Sequence, residues 1–465
     1  MTNAILRGKP YAGNPHVRFD EGEAASATPR RGSLLCKVQL FGRKVLLAGA
    51  VFAAGVASGD VSWTGDDSDW HWWFENVNDY WGGTAPSSTD TVNLGKASQV
   101  GATARVYLKE GDAVSINKLN IANSNGQFSH LRVGPGATLT VAGDVRLPKQ
   151  AAQNATGIVE VAGGTYVGNG NLAGAGHTSS IGELWINNGG SVTTASLTFG
   201  WLGPAAMVFD DGKFSIVGTW IIGGQGKPGT ISGRKADIRT KSVFLGSNTS
   251  GARGDIRLAD SSVFIDGVLN VGRASGNSII LTNSVLGMAA YNSARIGTKS
   301  ETNDSVTNVL ELIGSGAVFS NAYSVEFYQN TRVTVRGGKF LIDANAPDRN
   351  QFPFTVSAKS DESSADALQL YEVYDGLFAV TNRKAGQIST IDLASAGRAL
   401  FRQFGGRVTA GGLYFNGTGG IEPRYELFGG TLDIDQSYNN GIGVRCATAE
   451  GRRPARFLWS ADPRF

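Results

Sequence analysis

The stretch "ELWINNGGSVTTASLTFG", Glu183 to Gly200, holds three very short apolar-polar-apolar pieces. Asn-Asn-Gly-Gly and Ala-Ser cut them apart, and a glycine stops the last one. That last piece, Leu197-Thr198-Phe199-Gly200, returns as Trp220-Ile221-Ile222-Gly223, Val243-Phe244-Leu245-Gly246, Leu269-Asn270-Val271-Gly272 and Ala294-Arg295-Ile296-Gly297, with glycines 23, 23, 26 and 25 residues apart. A second piece recurs upstream at a fixed offset: Leu139-x-Val141, Phe214-x-Ile216 and Val263-x-Ile265, followed by linkers carrying Gly143, Gly218 and Gly267. A third strand precedes a corner marked by Gly190, Gly212, Gly316, Gly338, Gly376, Gly406 or Gly430, where glycine permits a positive φ.

Side chains in a strand alternate with period two, so Leu197 and Phe199, or Leu269 and Val271, share one face. Three short strands and about 24 residues then make one coil of a solenoid. Stacked coils bury those faces in an axial column and pair as parallel strands, and the handedness of parallel crossovers favours right-handed winding. The expected fold is all-β, a right-handed parallel β-helix with three sides and an aromatic-rich N-terminal cap. A β-propeller would repeat at about 40–45 residues with four strands per blade, and a sandwich lacks a fixed three-piece unit closed by one glycine. The expected division is a leader over 1–58, a cap over 59–100 and the β-helix over 101–465.

Composition agrees. The chain has 64 Gly and 3 Met among 465 residues, with 17% charged residues, and glycine costs a helix roughly 1 kcal/mol per position relative to alanine. An apolar share of 41% supplies a core and excludes a disordered chain.

The first 58 residues differ in character. Arg43-Lys44 precedes the apolar run Val45 to Ser58, with Val56 and Ser58 at the small-residue positions of a cleavage site. This has the form of a secretory signal peptide, and it falls short of the about 20 apolar residues of a membrane span. Without residues 1–58 the chain loses 8 Lys and Arg against 3 Asp and Glu, leaving 34 and 36 and a net charge of −2. No basic field remains for nucleic acid or an anionic membrane. Of the two cysteines, Cys36 belongs to the leader and Cys446 stands alone, so no disulfide framework is expected.

Residues 61–95 hold five of the nine tryptophans. The order Trp63-Thr64-Gly65, Asp69-Trp70, Asn78 to Trp81, Gly82-Gly83, Pro86 and Asp90-Thr91-Val92 resembles the opening of bacterial exported β-solenoid proteins of the autotransporter-associated repeat and PEP-CTERM kind. The resemblance extends loosely over the glycine-punctuated coils and implies an exported protein, secreted or at the cell surface. The sequence departs from that pattern at "RRPARFLWSADPRF", which has no Pro-Glu-Pro sorting tail, and in "HWWFENV", which is unusually rich in aromatics. The candidate site residues are Trp63, Trp70, Trp72, Trp73, Tyr80 and Trp81. They serve either as a cap over the first rung, with Trp63, Trp70 and Trp81 closing it, or as platforms for sugar rings; the cap is the preferred reading.

Motifs for chemistry are sparse. Gly224-x-Gly226-x-x-Gly229 matches a dinucleotide fingerprint but precedes no helical period, and "GTKS" at 297–300 lacks phosphate-loop spacing. His71, His130 and His177 stand far apart without a Cys or carboxylate at ligand spacing, so loop or surface roles are expected. The outward column of the best-aligned strand, Thr198, Ile221, Phe244, Asn270 and Arg295, contains no carboxylate. Asp210-Asp211 and Asp433-x-Asp435 are the remaining acidic candidates, and "RRPAR" falls one residue short of a pectate-lyase-like arginine signature. Length varies just after the closing glycines, at 247–255 and 298–308, which places insertions along one edge.

The function that emerges is an exported, non-enzymatic β-solenoid: a surface spacer, adhesin or passenger-like module with a glycan or protein partner at the cell surface. The alternative is a carbohydrate-active or carbohydrate-binding β-helix of the polysaccharide lyase or hydrolase kind, the one case in which calcium would be called for.

Overall fold

The computed structural model describes residues 59–459 except 67, 97, 150, 225–226, 247–251, 273–275, 290–292, 298–306, 322–323, 329, 344–367, 382–389, 394–397, 418–422, 435–441 and 447–455. The leader, both insertion segments in their greater part, Asp435 and most of "RRPAR" lie outside the described residues.

Most of the quoted stretch lies in one strand, Ile181–Phe199. Its register against the next coil breaks between Asn187 and Gly190 and again between Thr194 and Leu197, at the Asn-Asn-Gly-Gly and Ala-Ser interruptions. Each of the three pieces pairs in parallel with its counterpart in the following coil, Ala205–Ile222, and that coil pairs in the same way with Pro228–Leu245. Three ladders of parallel strands result, and the chain is a parallel β-solenoid.

The first ladder runs, for example, from Phe128–Val133 through Thr156–Ala162 and the 181–187 piece, and continues to Arg253–Ala259 and Ser278–Thr282. The second joins Ala113–Ile116 to Thr138–Val141 and reaches Thr431–Ile434. The third begins with Asp60–Trp63 on Thr91–Leu94 and continues to Ser324–Phe327; three further strands, Thr390–Leu393, Gly412–Gly417 and Ile442–Cys446, form a separate parallel sheet. The glycine-closed pieces stack as their spacing requires, Leu197 on Trp220, Val243, Leu269 and Ala294 in turn.

The core is the axial column. Leu197, Trp220, Val243, Leu269 and Ala294, with Phe199, Ile222, Leu245, Val271 and Ile296 beside them, are all fully buried. Burying a large apolar side chain is worth about 1.5–3 kcal/mol, so the column drives the stacking. In later coils it becomes aromatic. Phe319, Phe340 and Phe378 are register partners on the second ladder and stack face to face at 4.9 and 4.6 Å. Phe401 and Tyr425 do the same on the first, at 4.8 Å.

Gly200, Gly223, Gly246, Gly272 and Gly297 each have a positive φ of 68–109°, the left-handed turn that closes a coil. At the other corner the structure differs from expectation. Positive φ falls at Gly189, Asp211, Gly314 and Gly337, not at Gly190, Gly212, Gly316 and Gly338, while Gly376, Gly406 and Gly430 hold it as expected. Asp tolerates this region with little penalty. Gly212 is needed for closeness instead, since a Cβ there would collide with Ile186 Cγ2.

Residues 59–100 fall in the same compact unit as the coils. Asp60–Trp63 is itself a rung of the third ladder, and His71–Trp72 pairs with Val106 and Tyr107 on the first. One helical turn, Val77–Tyr80, follows them and precedes Thr91–Leu94.

Candidate functional site

The outward face of the first ladder carries two columns near its start. One runs Arg105, His130, Ile158, Glu183; the other runs Tyr107, Arg132, Glu160, Trp185. Stacking brings together groups that sequence separates. His130 Nε2 lies 3.1 Å from Glu160 Oε2, and Arg132 Nε lies 3.7 Å from Glu160 Oε1. Asn187 Nδ2 donates to Glu160 Oε1 at 3.0 Å, and Trp185 Nε1 donates to Glu183 Oε2 at 2.8 Å. The His130 ring meets Trp70 edge-on at 4.7 Å and Trp185 at 5.3 Å.

This cluster is closed. His130 is 7% exposed and Glu160 8%. Burial works to raise the Glu160 pKa, but the interactions with His130 and Asn187 and the charges of Arg132 and His130 outweigh it and hold the carboxyl below its ordinary value. A general acid needs the opposite shift. The arrangement therefore suits an ionised carboxylate that pins three successive coils, with Trp70 laid over it.

The surface role expected for His130 is thus corrected. Its carboxylate partner comes from the next coil, a proximity created by stacking and invisible to local spacing. His71 and His177 do lie nearer the surface, His71 3.6 Å from Glu75 and His177 in a turn with Ser179 at 3.1 Å.

The candidate aromatics separate into two groups. Trp63, Trp73 and Trp81 are buried at the first rungs: Trp81 Nε1 donates to the Trp73 carbonyl at 2.7 Å, and Trp63 stacks on half-buried Tyr80 at 4.5 Å. Trp70 does not join them. It is 37% exposed and sits on the flank against His130, whereas Trp73 is buried against Trp81. Trp72 is half-buried under Lys109 Nζ, 3.4 Å above its ring, and donates to Asp112 Oδ2 at 2.7 Å.

Two of the acidic candidates, Asp210 and Asp433, are engaged in ion pairs between coils. Asp210 pairs with Arg234 at 2.7 Å, and that hydrogen bond lowers its pKa. Asp433 pairs with Arg407. The outward column Thr198, Ile221, Phe244, Asn270 and Arg295 is in the expected register, and the next rung adds Glu326, 3.3 Å from Arg295. Among the described residues no three His, Cys, Asp or Glu side chains gather as metal ligands, and no helix is long and apolar enough to cross a membrane.

A second feature escaped sequence reading. On the outward side of the third ladder a depression of about 200 Å³ is lined by Asp144, Arg146, Asn171, Ala173 and Trp201, among others. Trp201 directly follows the closing Gly200, a position where the other coils carry Gly224, Ser247, Arg273 and Thr298. That substitution of an indole for a small or polar residue was its one sequence signal.

No family model, no curated protein and no solved structure matches this chain.

Proposed function

We propose that the protein is an exported, non-enzymatic β-solenoid that works at the cell surface as a spacer, adhesin or passenger-like module, as its resemblance to bacterial exported solenoids implies. The observation that carries the reading is the use made of carboxylates on the first ladder. Glu160 is held by His130 and Arg132, Glu311 by Arg336 at 3.1 Å, Glu372 by Arg332 at 2.6 Å and Glu426 by Arg402 at 3.0 Å. Each pair links neighbouring coils. Here the carboxylates are engaged with cations of the adjoining coil, and the pairs reinforce the stack.

The test is incubation of the purified chain with acidic and neutral polysaccharides, with and without calcium. No new reducing ends and no unsaturated product are expected, and turnover of any substrate sinks the reading. Export has its own check. Protein secreted from a bacterial host should begin near Gly59, and recovery of secreted protein with an intact leader counts against it.

A further inference from the structure

The depression beside Trp201 has the composition of a binding site. We propose that it takes one neutral pyranose unit of an oligosaccharide or polysaccharide, a role beyond that of a structural module. Trp201 is 40% exposed and offers an aromatic platform. The floor is low because the outward column steps from Arg146 to Ala173 before Thr198, placing a methyl group between longer neighbours.

The polar groups around it are partly uncommitted. Asp144 Oδ1 accepts from the Asn171 backbone N–H at 3.1 Å, which leaves Oδ2 available. Asn171 Oδ1 accepts from Ser196 Oγ at 3.0 Å, which leaves its amide N–H₂ available. Arg146 is exposed, and its guanidinium has no ion pair or hydrogen bond among the described residues. A carboxylate acceptor, an amide donor and a planar donor fork beside one ring match vicinal hydroxyls, which donate and accept at once.

Charge and size narrow the ligand. One Asp and one Arg cancel, so the site carries no net positive charge to recruit a uronate and matches a neutral sugar. A volume of about 200 Å³ is below the roughly 300–1,000 Å³ of sites that enclose drug-sized ligands. One ring is seated and the rest of the chain lies outside.

Isothermal titration of the full chain with cellotriose, maltotriose, mannotriose and trigalacturonate tests this. At least one neutral trisaccharide should bind, with an affinity of about millimolar for so small a contact. Trp201→Ala should weaken that binding by about tenfold or more, and Arg146→Gln by a similar factor, as loss of stacking or of a charged donor does. The melting temperature should not change, because both side chains are at the surface. The proposal is overturned if no neutral trisaccharide binds at roughly 10 mM, if only trigalacturonate binds, or if binding survives both substitutions. None of these failures touches the structural-module reading. Cleavage of a bound trisaccharide would sink that reading and leave the site standing.

Discussion

His130 and Glu160 meet at 3.1 Å across the step between two successive coils, under the edge of Trp70. The carboxyl is held below its ordinary pKa, so the pairing stabilises the folded chain above the ordinary glutamate value and is lost as pH falls through that value toward the lowered one. Glu160→Gln should cost about 1–3 kcal/mol near neutral pH, since it removes the charge that His130, Arg132 and Asn187 face. The difference between wild type and variant should shrink on acidification. Urea denaturation from about pH 7 to about pH 3 measures it, and parallel pH profiles would show that Glu160 contributes nothing specific.

Tyr166 is 1% exposed, and its hydroxyl has no hydrogen-bond partner among the described residues. Burial pushes that hydroxyl far above the ordinary tyrosine value, so it stays neutral. Tyr166→Phe removes an unsatisfied polar atom with little change in shape and should stabilise the chain by about 1 kcal/mol or more. A lower denaturation midpoint for the variant would mean that the hydroxyl is satisfied after all.

The tryptophans near the start should divide by burial. Trp63→Ala and Trp81→Ala should each cost about 3–5 kcal/mol, as large aromatic truncations do in cores, whereas exposed Trp70→Ala should cost well under half of that. Thermal melts of the three variants decide it. Equal losses would mean that the flank contact with His130 matters as much as the buried cluster.

Two glycines separate backbone strain from crowding. Gly189 has φ +76° and open space where a side-chain methyl would stand, whereas Gly223 has φ +73° and the Arg253 carbonyl oxygen pressed against that position. Gly189→Ala should therefore cost about 1–2 kcal/mol, the left-handed penalty alone. Gly223→Ala should cost clearly more, because the atom it meets is main chain of the strand Arg253–Ala259 and cannot swing aside. Urea denaturation of the two variants compares them, and equal effects would show that the coils shift apart freely.

The repeat was legible because one physical rule wrote it many times: an inward apolar pair followed by a left-handed glycine. Leu197, Trp220, Val243, Leu269 and Ala294 could be aligned from their closing glycines, and the structure stacks them in that order. The other corner was harder to read. Asp211 carries the turn while Gly212 answers a steric demand from Ile186, and glycine content alone does not distinguish the two needs. His130 with Glu160, and Asp144 with Asn171, were out of reach for another reason. Their partners lie one coil away, and the irregular early coils obscure the offset that relates them.

Parallel pairing between successive coils also has a mechanical consequence. Hydrogen bonds of the ladders run from one coil to the next, so a pull on the two ends loads the junctions between coils one after another and spares the interior of each coil. Such a molecule should yield by peeling from an end, in small steps of one coil, rather than by bursting as a whole. A coil of about 24 residues at about 3.3–3.6 Å apiece, less one coil spacing of about 4.8 Å, should lengthen an optical-trap trace by roughly 74–82 Å. Longer coils, such as the one that separates Thr331 from its register partner Gln369, should lengthen it by more.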